Sequence, residues 1–80
     1  SLVFEGDGVG VEVEKTDGRG EGQLIPAGPG RVTLQGPDGQ IADVATDEVG
    51  YFRLEVRPHG PVRLVCSRAG GACATQWLTW

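Results

Sequence analysis

The sequence predicts an all-β fold: two sheets packed face to face, built from seven or eight mostly antiparallel strands. Three observations carry this. Apolar residues recur with a period of two rather than the roughly 3.6 of a helix. Turn signals at Asp17-Gly18, Asp38-Gly39, Val49-Gly50, His59-Gly60 and Gly70-Gly71 punctuate the chain, at about the ten-residue spacing of a sandwich or barrel. No window supports a helix of useful length. A single sheet would leave its apolar face in water, so two sheets must share one core.

The expected strands run over 2–5, 9–16, 20–26, 30–36, 40–46, 50–57, 61–67 and 73–79. In "VGVEVEK", Val9, Val11 and Val13 share one face and Glu12 and Glu14 the other. In "RVTLQ", Val32 and Leu34 point inward while Arg31, Thr33 and Gln35 point out. In "YFRLEVR", Phe52, Leu54 and Val56 point inward, and Tyr51, Arg53, Glu55 and Arg57 point out. In "PVRLVCS", Val62, Leu64 and Cys66 share a face. The other segments fill the intervals between turns.

Bulk properties bound the function. With 80 residues the chain makes one small domain, residues 1–80, with no internal linker. It opens at Ser1 directly before "LVF", without an initiator Met or a signal peptide, and reads as a domain excised from a longer protein. Net charge is −4 and the seven basic residues are scattered singly or in pairs, which disfavours nucleic acid as a partner. No apolar stretch approaches the length that crosses a bilayer as a helix.

The candidate chemical groups are few. Asp47 and Glu48 are adjacent, and neighbours on a strand point to opposite faces, so they do not converge on a metal or a proton. Further oxygen ligands at alternating spacing are absent. Asp47 to Gly50 reads instead as a structural turn, its carboxylate accepting backbone N–H groups and its glycine relaxing the exit.

Cys66 and Cys73 bracket "SRAGGA". A two-residue turn at Ala69-Gly70 would set them directly opposite, open to a disulfide. A turn at Gly70-Gly71 would leave them diagonal, and a three-residue loop would put them on opposite faces. Buried free thiols are the second reading. A metal site is disfavoured, because the spacing is not that of zinc ligands and one histidine, His59, is the only other soft donor. His59 itself sits in "RPHGP", an exposed turn with no nucleophile at hand. The glycine-rich "GDGVG" and "GPGR" lack the lysine and helix of a phosphate cradle and read as loops. Lys15, the only lysine, would need a buried acid to form an isopeptide bond, whereas Glu12 and Glu14 face solvent. Trp77 is expected in the core or half buried, on the face of Thr75.

The run "GQLIPAGPGRVTLQGPDGQIADVATDEVGYFRLEVRPHGPVRLVC" resembles the carboxypeptidase regulatory-like domain, a transthyretin-like (prealbumin-like) β-sandwich. The matching positions are Gly22, Val32, Leu34, Thr46, Asp47, Gly50, Phe52, Leu54, Gly60, Val62 and Leu64. One departure is His59, where the family hairpin carries a second proline. The closing "TQWLTW" is similar to the ending of small actinobacterial-type versions of the domain, often encoded beside alternative sigma factors.

The resemblance implies an accessory module rather than an enzyme, and it carries over no catalytic residue and no cofactor. It implies a protein partner or a covalently attached domain, met through a rigid surface or an open sheet edge, with a homodimer through that edge as one form. Tyr51 and Trp80 are the expected contacts. The alternative is a carbohydrate-binding or structural module of a secreted or cell-surface protein, which needs two exposed aromatics on one face. A neighbouring sigma-factor gene would favour a cytoplasmic regulator; otherwise the compartment stays open.

Overall fold

The computed structural model describes residues 2–79. Nine strands follow in order: β1 (Leu2–Glu5), β2 (Gly10–Thr16), β3 (Arg19–Ile25), β4 (Arg31–Gly36), β5 (Gly39–Ala45), β6 (Tyr51–Leu54), β7 (Pro61–Arg68), β8 (Gly71–Ala74) and β9 (Leu78–Thr79). All pairings are antiparallel. One sheet has the order β1-β2-β3-β6; the other has the order β5-β4-β7-β8, with β9 also on β7.

The two sheets enclose one core. Every residue assigned inward from the period of two is buried, from Val9, Val11 and Val13 through Val32, Leu34, Phe52 and Leu54 to Val62, Leu64 and Cys66, except Val56, which is partly buried against them. Leu24 and Cys73 complete the core. Burying side chains of this kind contributes about 1.5–3 kcal/mol each relative to exposure, which an 80-residue chain needs because it hides a modest share of its surface.

Tight turns join the hairpins. Asp17 and Gly18 close β2 onto β3 with both φ angles positive, 51° and 80°, as a two-residue hairpin turn requires. β6 ends at Leu54, before the expected 57, because its partner β3 runs out there: Leu54 pairs with Gly20, just short of that turn. Beyond it Arg57 reaches back and donates from Nη2 to the Asp17 carbonyl at 3.0 Å.

The expected strand over 73–79 is two strands. Val65 faces Ala74 and Val62 faces Leu78, so three steps along β7 answer four steps along the returning chain. One extra residue is accommodated between Thr75 and Trp77, a bulge that reverses which side chains face inward. Leu78 therefore packs against the core opposite Val62. Trp77, in an unbroken register, would have held that place; it is instead 47% exposed. Thr75 is buried as expected, and the shared face of Thr75 and Trp77 is corrected by the slip.

Candidate functional site

The corner between the two sheets is built by Thr46, Asp47 and Gly50. The Thr46 N–H donates to the Gly30 carbonyl at 2.9 Å, and the Thr46 hydroxyl accepts from the Gly30 N–H at 2.7 Å. Asp47 Oδ1 accepts the N–H groups of Val49 at 3.0 Å and Tyr51 at 2.9 Å, while the Asp47 carbonyl accepts from Gly50 at 3.0 Å.

Gly50 is buried with φ at 87°, and its carbonyl receives the Leu24 N–H at 2.9 Å, so the corner is fastened to β3. A Cβ on Gly50 would lie 2.9 Å from the Gly28 carbonyl oxygen and 3.1 Å from the Leu24 backbone. The Asp47 carboxylate is thus occupied by backbone donors, and Glu48 beside it is exposed. Among the described residues no three His, Cys, Asp or Glu side chains are grouped to hold a metal ion. His59 is exposed in a bend.

The hairpin β7–β8 turns through Ala69 and Gly70, since Arg68 pairs with Gly71. Of the three arrangements open to the cysteines, this is the one that sets Cys66 directly opposite Cys73. Both are thiols and both are buried. Burial, reinforced by the neighbouring Cys73, pushes the Cys66 thiol up to about 12.

The outer faces of the two sheets differ in charge. On the β1-β2-β3-β6 sheet, Glu12, Glu14, Glu21, Gly22, Gln23 and Tyr51 line an open cleft of about 200 Å³. Glu14 and Glu21 stand directly opposite each other, a like-charge pairing that weakens a sheet. The Tyr51 hydroxyl donates to Glu21 Oε2 at 2.8 Å. The fully exposed Arg53 guanidinium is held above its ordinary range by Tyr51 and then Glu55, which leaves its charge at neutral pH unchanged.

On the other sheet Arg31 pairs with Asp43 at 3.0 Å, and Arg63, bonded to Gln35 at 2.8 Å, lies over the Trp77 ring at 5.2 Å. Tyr51 and Trp77, the exposed large aromatics among the described residues, therefore sit on different sheets and form no common platform. Tyr51 is 39% exposed on β6, the edge strand of its sheet. Trp80, the other expected contact, lies outside the described residues.

The strand expected over 40–46 is β5; what the sequence left unassigned is its open side. It forms one edge of its sheet, paired on one side with β4. Its seven residues, "GQIADVA", carry one charge, Asp43, and no lysine or proline. Asp43 is engaged by Arg31 and by the Thr33 hydroxyl at 3.1 Å. Ile41, the residue left over at an irregularity in the β4–β5 register, is 41% exposed. The signal was the alternation-poor composition of 40–46, with Asp43 its one charge, which marks a strand but not which of its sides is open. Searches of protein-family models, of curated proteins and of solved structures found no match to this chain.

Proposed function

We propose that this chain is a non-catalytic protein-interaction or regulatory accessory module, a transthyretin-like sandwich of the carboxypeptidase regulatory-like kind, and that it receives a partner strand along β5. The observation that carries this is an edge strand of seven residues with one side unpaired among the described residues. Such an edge is a template for strand addition unless lysine, proline, a bulge or a cover blunts it; the irregularity at Ile41 leaves Ala42–Ala45 as the regular stretch of this edge. Because Thr46 donates toward β4 through Gly30, alternation turns the Ala45 and Asp43 N–H groups outward. A second copy is the first occupant to test, because Asp43 is already neutralised within its own chain and two β5 edges meet without unbalanced charge.

The test is an amide NMR titration of the chain against itself to millimolar concentration. Concentration-dependent shifts confined to Gly39–Ala45, and lost in Ala45→Pro, support the reading. An edge that stays unperturbed throughout overturns it. Shifts at Tyr51 or Trp77 on adding a glycan would transfer the function to carbohydrate binding.

A further inference from the structure

We propose that Cys66 and Cys73 are a disulfide-forming pair whose redox state is set while the chain folds and is then sealed in by the β1–β2 connection. Three placements support it. The β7–β8 register puts the two residues directly opposite, and opposed residues of an antiparallel pair have Cα atoms about 4.5–5.5 Å apart, inside the roughly 4.4–6.8 Å that a disulfide spans. Both side chains point into the core, Cys66 at 0% and Cys73 at 7% exposure.

The third placement is the cover. Gly6 lies so close over the hairpin that a Cβ on it would be 2.6 Å from the Cys73 Cβ. The adjacent Asp7 bridges to Ala72, and its carbonyl oxygen would be 2.2 Å from a Cβ on Gly71. The Gly6 N–H donates to the Val9 carbonyl at 2.9 Å, which closes the connection on itself.

The chemistry is thiol–disulfide exchange with a low-molecular-weight disulfide as oxidant. The Cys73 thiolate attacks one sulfur of the oxidant, forms a mixed disulfide and expels one small thiolate. Cys66 then gives up its proton and attacks the Cys73 sulfur, closing the Cys66–Cys73 bond and expelling the second small thiolate. Two electrons pass from the pair to the oxidant, and the two protons end on the released thiols. In the folded chain the first step is blocked by the cover over Cys73. The second is slowed because the buried Cys66 holds its proton up to about pH 12. In the unfolded chain neither obstacle exists.

The experiment exposes the reduced native protein and the denatured, refolding protein to the same excess of oxidised glutathione at pH 8. Samples are then denatured, alkylated with maleimide and weighed intact. Refolding protein is expected to emerge about 2 Da lighter with no maleimide added, while native protein still takes up two maleimides after at least tenfold longer. Gly6→Ala, which pushes the cover off Cys73, is expected to oxidise faster in the native state while circular dichroism reports an intact fold.

Glutathione adducts, intermolecular dimers or free thiols after refolding would overturn the pairing. Native oxidation as fast as oxidation during refolding would overturn the sealing.

Discussion

Two stretches bring the chain back onto the core, the Thr46–Gly50 corner and the return along β7 from Gly71 to Thr79, and they do so by different means. The corner at Thr46–Gly50 is fastened to Gly30 and Leu24, but its turn is formed by local hydrogen bonds: one carboxylate collects two N–H groups within four residues, and one glycine supplies the positive φ. The return at Gly71–Thr79 is held by distant groups. Its bulge is pinned where the Leu64 N–H donates to the Thr75 hydroxyl at 3.0 Å and the Leu64 carbonyl accepts the Thr75 N–H at 2.9 Å. The Thr75 hydroxyl in turn donates to the Gln76 carbonyl at 2.8 Å. A local device can be read from consecutive letters, whereas a distant one cannot, and the two should also fail differently when broken.

The largest effect is expected at the corner. Gly50→Ala imposes a side chain on a left-handed backbone and drives a Cβ against Gly28 and Leu24. The strain and the clash together should cost about 3 kcal/mol, a fall in Tm of more than about 10 °C for a domain of this size. Gly60→Ala is the control, because Gly60 also has a positive φ, 94°, but nothing lies within 4 Å of its added Cβ. Its cost should stay at about 1–2 kcal/mol, that of the left-handed backbone alone. Equal losses at the two glycines would show that the close approach at Gly50 contributes nothing.

The matching break in the return is Thr75→Val. It keeps the shape but removes the acceptor of the buried Leu64 N–H. An orphaned buried donor costs about 1–3 kcal/mol. Urea unfolding should show a loss of about 2 kcal/mol, and Thr75→Ser should recover most of it. If Val and Ser variants are equally stable, the hydroxyl does not pin the bulge.

Asp47→Ala should cost less, about 1 kcal/mol, although it removes two hydrogen bonds, because Asp47 and Tyr51 are exposed and water takes over the freed groups. A loss larger than that of Thr75→Val would reverse the proposed ranking of exposed against buried contacts.

The same contrast explains what was legible in the sequence. The strand positions and the inward faces of β2, β4, β6 and β7 follow from alternation within each strand, which does not depend on the partner. The Asp47–Gly50 turn is legible for the same reason. β3 shows almost no alternation because two of its inward positions are glycines. At Gly22 a Cβ would lie 2.1 Å from the Glu12 carbonyl oxygen, so the residue that the packing demands is the one that erases the hydrophobic signal. The placement of the cysteines hung on which two residues turn the hairpin, a choice among Ala69, Gly70 and Gly71 that composition leaves degenerate. The open side of β5 depends on strand order, which is set by the whole chain.

The smallest effect, and the one that tests the register slip most directly, concerns Trp77. The extra residue sends this ring to the outer face, where the Arg63 guanidinium covers it at 5.2 Å and Gln35 holds that guanidinium in place. An exposed cation–π contact of this kind is worth about 0.5–1 kcal/mol, so Arg63→Gln should lower stability by no more than about that amount. It should nevertheless uncover the indole. With two tryptophans in the chain, the measurement belongs in a Trp80→Phe background, where fluorescence reports Trp77 alone. Acrylamide should quench this signal readily in the parent and more strongly after Arg63→Gln, with little change in Tm. A blue-shifted emission that acrylamide barely touches would place Trp77 in the core beside Val62, restore the unbroken register and remove the bulge on which the contrast between the two stretches rests.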